Sequence, residues 1–359
     1  MKKKNILYLT RRMGIGGTEK IVLQLCNEIG CEFNKVIVCS NGGIHEKELK
    51  EMGIRHYCIP DLESKNIISI VKTIFTIIKI LNVEKIDIIH THHRMAAFYG
   101  AIFKKFIRID VVNTAHNTFY NKKRLTKFAL KDVKTIAVGE RVKENIVEYF
   151  NVDEKNVSVI YNGVGFDTNN REINELKELK SKGYFLVGNI GRLSEQKGMI
   201  YFIDACYKIN KIEPKIKFFI IGDGELKENL INKVKSIGME ENIIFLGYRD
   251  DISNIISNID LIVLSSLWEG LPLTPIEAFM NKKTIVATDV DGTAEVVKHN
   301  FNGILVNKKN SEEIKDAVIE LFNDNNKRIQ FEKNAFNTYI SKFSIQKFRE
   351  EYIKFYKSL

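Results

Sequence analysis

No stretch of this sequence is both long enough and apolar enough to cross a bilayer, because its longest apolar region, residues 67–81, is broken by Lys72 and Lys79. The amino terminus has a basic head, Lys2 to Lys4. The apolar run behind that head is too short for a signal-peptide core and reads as a first β-strand. Five cysteines, at 26, 31, 39, 58 and 206, are odd in number and form no Cys-x-x-Cys pair. Reduced thiols in a cytoplasmic chain are the expectation. No Walker A sequence occurs, which argues against a P-loop nucleotidase. A sequence pI near 9.1 invites a nucleic-acid partner. No recognition motif supports one, so none is expected.

The chain has 359 residues, of which 44% are hydrophobic and 10% aromatic. That is enough for two domains, each with its own core. Charge is unevenly spread: residues 1–168 hold 27 Lys and Arg against 18 Asp and Glu, while residues 169–359 hold 28 against 27. From Arg94 to Lys131 there are nine basic residues and one acidic residue, Asp110. Either a solvated lysine-rich face or an anionic partner, such as an anionic membrane surface, accounts for this stretch.

Short β-branched runs alternate with helical patterns from end to end. Strands are expected at 5–10, 35–40, 54–59, 86–91, 110–114, 134–138 and 157–160, then at 184–190, 216–221, 242–246, 260–264, 284–288 and 304–306. That rhythm demands parallel sheets covered on both faces, hence two tandem doubly wound α/β domains. Asn162-Gly-Val-Gly165 marks the boundary. The domains are read as 1–165 and 166–340, with a C-terminal helix at 341–359 crossing back to the first. Between Asn66 and Leu81 a helix places Ile67, Ile68, Val71, Ile74, Phe75 and Ile78 on one stripe. A core-facing helix with snorkelling lysines is preferred over one lying on a membrane.

Glycine-rich turns follow several strands. Thr10-Arg-Arg-Met-Gly-Ile-Gly-Gly-Thr-Glu19 joins the first strand to the first helix, where backbone amides can meet an anion. It misses the dinucleotide fingerprint, since Glu19 occupies the third glycine position and the second strand ends in Cys39-Ser40 rather than an acid. In the second half, Asn189-Ile-Gly-Arg-Leu-Ser-Glu-Gln-Lys-Gly198 follows a strand and opens a helix. Arg192 offers a planar fork for a diphosphate and Lys197 a point charge. Ile221-Gly-Asp-Gly-Glu225 and Leu246-Gly-Tyr-Arg-Asp-Asp251 are further turns on the same sheet edge. Trp268-Glu-Gly-Leu-Pro-Leu-Thr-Pro-Ile-Glu-Ala278 places two carboxylates eight positions apart. Thr274-Pro-Ile-Glu277 also fits a capping box, with Thr274 at the N-cap and Glu277 at N3. Capping and chemistry are both open for Glu277.

Together these pieces resemble the retaining GT-B glycosyltransferases of family 4, in the expected order over nearly the whole chain. Gly16-Gly17-Thr-Glu19, Thr114-Ala-His-Asn117, Ile160-Tyr-Asn-Gly-Val164, Gly191-Arg-Leu with Lys197-Gly198, Glu269-x7-Glu277, Thr288-Asp-Val-Asp-Gly-Thr-Ala-Glu295 and Asn302-Gly-Ile-Leu-Val306 carry the resemblance. It departs from common family forms at Asn117 and Asp291. The resemblance implies two Rossmann-like domains around a deep interdomain cleft, with a helical C-terminal tail. It implies a nucleotide-sugar donor, UDP- or GDP-linked, with neither cofactor nor metal required. Arg192 and Lys197 would grip the donor diphosphate and stabilise the departing charge. Glu269 would approach the donor sugar, Glu277 the ribose, and His116 the transferred sugar. Gly16 and Gly17 would abut the phosphate, and Gly222, Tyr248, Leu271, Leu273 and Thr274 would complete the donor pocket. No general base is assigned.

Ile89-His-Thr-His-His-Arg94 suggests a metal at first sight. The preferred reading sets His90, His92, His93 and Arg94 beside the acceptor. The expected acceptor is a bacterial surface glycan, free or on a polyprenyl carrier, handled in the cytoplasm or on the inner face of the membrane. A GT-B nucleotide-sugar epimerase and a non-catalytic nucleotide-sugar-binding module are the rivals. The joint presence of Glu269, Glu277, Arg192, Lys197 and His116 favours turnover.

Overall fold

The computed structural model describes residues 3–165, 173–290 and 292–359; Asp291 and the stretch that opens the expected second domain at 166–172 lie outside them. The chain forms two compact units, residues 1–162 with 345–359, and residues 163–344.

In the first unit the strands are β1 (Asn5–Leu9), β2 (Lys35–Ser40), β3 (Arg55–Cys58), β4 (Ile88–Thr91), β5 (Asp110–Ala115), β6 (Lys134–Ala137) and β7 (Val157–Val159). They form one parallel sheet in the order β3-β2-β1-β4-β5-β6-β7. The second unit contains β8 (Phe185–Ile190), β9 (Ile216–Ile221), β10 (Ile243–Gly247), β11 (Leu261–Leu264), β12 (Ile285–Thr288) and β13 (Gly303–Val306). Its parallel sheet runs β10-β9-β8-β11-β12-β13. Each sheet therefore reverses its direction of growth once, between β1 and β4 and between β8 and β11. Ligands of open α/β sheets bind at such a reversal, beyond the carboxyl ends of the strands.

Side-chain alternation explains why both faces of the first sheet are apolar. Ile6 and Tyr8 of β1 join a core completed by the helix Gly17–Ile29 and by Phe348, Tyr352 and Tyr356 of the terminal helix Ile345–Lys357. Leu7 and Leu9 face the opposite core, closed by Ile77, Ile80 and Leu81 of the helix Ile67–Val83 and by Ala96, Tyr99 and Phe103 of the helix Arg94–Phe106.

The helix Ile67–Val83 departs from expectation. The residues it buries are Thr73, Ile77, Ile80 and Leu81, whereas Ile67, Ile68, Val71 and Phe75 of the expected core stripe are exposed. Ile74 and Ile78 of that stripe are half-buried against the core. The helix is apolar around most of its circumference, and the buried arc is displaced from the expected one toward Ile77, Ile80 and Leu81. The arc that is buried includes a threonine, whose hydroxyl is satisfied locally by the Ser69 carbonyl at 2.8 Å.

Candidate functional site

The second sheet's reversal gathers residues far apart in sequence. The loop after β8 carries Arg192 and Lys197, and the loop after the adjacent β11 carries Ser265, Ser266 and Glu269. The two loops are laced together: Leu267 N donates to the Gln196 carbonyl at 2.7 Å, Gln196 Nε2 to the Trp268 carbonyl at 3.0 Å, and Ser265 Oγ to the Lys197 carbonyl at 3.0 Å. Gly198 makes this approach possible. Its φ is +56°, and a Cβ there would lie 2.3 Å from the Ser265 carbonyl oxygen. Gly222, after β9, has φ +144° and leaves no room for a Cβ against the Gly191 carbonyl.

Lys197 Nζ is ion-paired and hydrogen-bonded to Glu269 Oε1. The same carboxylate oxygen accepts from Ser266 Oγ at 2.7 Å. Glu269 is only 7% exposed, and these two partners replace the hydrogen bonds that burial takes from its carboxylate. Arg192, five residues before Lys197, reaches solvent. One loop thus presents an exposed guanidinium and a half-buried ammonium at the sheet's ligand-binding edge. Leu271 and Thr274 are buried, Leu273 and Glu277 half-buried, and Tyr248, at the end of β10, is exposed.

The capping box is not formed. The helix runs Leu273–Met280 with Pro272 as its N-cap and no side-chain cap. Thr274 lies inside the first turn and its hydroxyl donates to the Ile190 carbonyl at 3.4 Å. Glu277 is therefore in the second turn, beyond the N3 position that capping requires. The local signal T-P-I-E was overruled because the helix already begins at Leu273 and the Thr274 hydroxyl turns to the Ile190 carbonyl of β8.

The first unit's reversal holds the histidines. His92 follows β4 and His116 follows β5; His92 Nδ1 lies 3.2 Å from His116 Nε2, so one ring donates and the other accepts. Burial, then the neighbouring His93, pushes the His116 imidazole down to about 3. Burial lowers His92 well below the ordinary range, helped by His90 and His116. These rings are neutral at pH 7. His90, expected beside the acceptor, is fully buried, with Nδ1 at 2.5 Å from Tyr356 Oη and Nε2 at 2.8 Å from Thr114 Oγ1. Both its nitrogens are thus committed inside the unit. His93 caps the helix Arg94–Phe106, accepting from Met95 N at 3.2 Å. Arg94 donates to Asn121 Oδ1 at 2.7 Å and lies 4.6 Å above the Phe119 ring. Among the described residues no group of His, Cys, Asp and Glu could hold a metal ion.

Gly16 is the N-cap of the helix Gly17–Ile29, and a Cβ on it would meet Glu19 Oε2 at 2.3 Å. The helix's own carboxylate thus fills the space where glycine leaves the amides open. Sequence reasoning missed Ser266 and Arg11. Ser266 was signalled only by the polar pair ending an apolar strand. Arg11 donates twice to Asp61, at 3.0 and 2.9 Å, and fixes the loop after β1. Asp289-Val-Asp291 has the Asp-x-Asp spacing of many metal-dependent transferases, but Asp291 lies outside the described residues.

Known proteins resemble this chain in sequence and in architecture. The model of the family described as glycosyl transferases group 1 matches residues 170–338, and that of glycosyltransferase family 4 matches residues 15–167. The chain is 31% identical to the UDP-Gal:alpha-D-GlcNAc-diphosphoundecaprenol alpha-1,3-galactosyltransferase of Escherichia coli, over 93% of this chain and 91% of that protein. It is 24% identical, over 97% of each chain, to a Campylobacter jejuni alpha-1,4-N-acetyl-D-galactosaminyltransferase whose acceptor is a GalNAc-containing glycan on diNAcBac-PP-undecaprenol. Among solved structures, Anabaena Alr3699/HepE in complex with UDP superposes with a TM-score of 0.86 at 21% identity, covering 99% of this chain and 100% of that one.

Proposed function

The chain belongs to the GT-B glycosyltransferases of family 4, and we propose that it moves a hexosyl unit from a UDP-sugar, with retention of configuration, onto a glycan carried by a polyprenyl diphosphate. The observation that carries this reading is the Lys197–Glu269 pair beside Arg192 at the β8/β11 reversal. Two cations on one loop suit a diphosphate whose negative charge grows as the sugar departs, and stabilising that charge is commonly the largest catalytic contribution. Arg192 would hold it through a planar fork, while Lys197 would share its charge between Glu269 and the leaving group. Glu269, aligned by Ser266, would accept from donor-sugar hydroxyls, and Glu277 from the ribose diol. His116, neutral and tied to His92, would donate to or accept from the transferred sugar rather than act as a cation. No side chain is assigned as nucleophile, which fits attack on the face that the leaving group vacates.

The UDP preference draws on the E. coli relative's donor and on the UDP bound by the Anabaena protein, and the carrier lipid on the undecaprenol-linked acceptors of the two bacterial relatives. The basic stretch 94–131 would then face the anionic surface in which such an acceptor sits.

The test is a screen of UDP- and GDP-sugars by thermal shift and donor hydrolysis, followed by NMR of the anomeric proton in the product formed on a polyprenyl-diphosphate glycan. A UDP-sugar at about 100 times its dissociation constant should stabilise the protein by about 2.7 kcal/mol. An α-linked product from an α-linked donor is expected. An inverted product, or conversion of the donor sugar into its epimer without acceptor, would overturn the proposal.

A further inference from the structure

The helix Ile67–Val83 has two apolar faces and only one is covered. Ile67, Ile68, Val71 and Phe75 are 70%, 73%, 44% and 69% exposed. At the helical repeat these four span an arc of about 100°, with Lys72 and Lys79 along its solvent edge. Single exposed hydrophobics are ordinary, but a contiguous stripe over more than two turns marks an interaction surface.

The surroundings are cationic. The neighbouring helix Arg94–Phe106 packs into the same side of the sheet and ends in Lys104, Lys105 and Phe106, the last 83% exposed. Lys105 Nζ stands 4.5 Å over the ring of Phe128, itself exposed, in the next helix, Lys123–Leu130. Between residues 65 and 131 there are thirteen Lys and Arg and three acids, Glu84, Asp87 and Asp110. Glu84 is 1% exposed and bound by Lys35 and Arg55, and Asp110 pairs with Lys4, so little negative charge offsets the field.

We propose that this face of the first unit docks on an anionic bilayer surface, with the helix Ile67–Val83 lying in the headgroup region and Ile67, Ile68, Val71 and Phe75 entering the acyl boundary. A helix with an apolar stripe and a lysine edge lies in that interface, held by buried apolar area and by attraction to anionic lipid. Among the described residues no helix is long and apolar enough to cross a membrane, so the contact is peripheral. A second copy of this chain is a poorer occupant, because it brings a net charge of +10 to an already cationic face. The inference rests on the lipid-carried acceptor for its purpose, but its test uses neither donor nor acceptor and separates the two readings.

Flotation with phosphatidylcholine vesicles, alone and with phosphatidylglycerol, would be compared for wild type, Ile68→Ser with Phe75→Ser, and Lys72→Gln with Lys79→Gln. Wild type should float with the anionic vesicles and far less with neutral ones. Both variants should melt as wild type and keep UDP affinity, while their vesicle affinity falls about tenfold or more. Phe75→Trp should add a blue-shifted emission on anionic vesicles above the background of the one native tryptophan, Trp268. Equal flotation of wild type and the serine variant overturns the proposal, as does an unshifted emission from Phe75→Trp. A wild-type dimer that the serine variant dissolves also overturns it, since the stripe would then be a protein interface.

Discussion

Glu269 takes its charge partner from Lys197, 72 residues away in sequence, across the one point where the second sheet changes its direction of growth. Both side chains are largely withdrawn from solvent, so stability and chemistry are linked at this pair. Lys197→Ala should lower turnover by about two to three decades. It should also destabilise the fold by about 3 kcal/mol, because it leaves a buried carboxylate without its cation. Adding Glu269→Gln should restore most of the melting temperature and none of the activity. Thermal denaturation beside donor-hydrolysis kinetics distinguishes the two effects.

Arg192→Ala should separate them differently. Its side chain is exposed, so the melting temperature should stay within the range of an ordinary surface change, about 0.5 kcal/mol. Turnover should still fall about a hundredfold or more. Wild-type turnover would remove Arg192 from the diphosphate site.

Glu277→Gln should melt like wild type, because Pro272 rather than Thr274 caps the helix and no capping box depends on Glu277. Calorimetry should nonetheless record weaker nucleotide binding, since a carboxylate accepts from a diol more strongly than an amide oxygen does. Glu269→Gln should keep nucleotide diphosphate affinity and lose turnover. Full nucleotide affinity in Glu277→Gln would rule out the ribose contact.

The histidines predict an acid-labile first unit. Burial holds His116 at about 3, well below the ordinary imidazole value near 6.5, with His90 and His92 also depressed. The unfolded chain therefore binds more protons than the folded one below about pH 6.5. Stability is complete above that value and is lost as pH falls through the window toward 3. Each such histidine steepens the loss by about 1.4 kcal/mol per pH unit. His116→Asn should flatten the curve of unfolding free energy between pH 6.5 and 4 by about that amount. An unchanged slope would mean that His116 titrates normally.

The terminal helix Ile345–Lys357 should be required for the first unit to fold. It contributes buried Phe348, Tyr352 and Tyr356 to the core around Ile6 and Tyr8, and each large-to-nothing loss of this kind costs about 3–5 kcal/mol. A chain ending at Ser344 should be insoluble or molten by near-UV circular dichroism. Tyr356→Phe should cost only about 1–3 kcal/mol, through the His90 nitrogen it leaves unpaired.

Among the described residues all thirteen strands were legible as β-branched runs bounded by turn residues, and their alternation with helices demanded parallel sheets. The placement of Arg192, Lys197 and Glu269 on loops after strands of one sheet was legible in the same way, whereas their roles toward a donor, and that of Glu277, came only from the resemblance. Local pattern decides these features, since a strand or a turn is specified by residues within a few positions of itself. It does not decide between competing partners. The helix Ile67–Val83 is apolar nearly all round, so only the sheet and the helix Arg94–Phe106 determined that Ile77, Ile80 and Leu81 go inward while Ile68 and Phe75 stay out. Thr274 matched a capping box, but the Ile190 carbonyl, brought near by β8, took its hydroxyl. His90 resembled a substrate contact until Tyr356, 266 residues later, closed on its ring. In each case several arrangements satisfy the local chemistry equally, and the one adopted is the one that leaves the fewest buried polar groups and the least apolar core surface unpartnered across the whole unit.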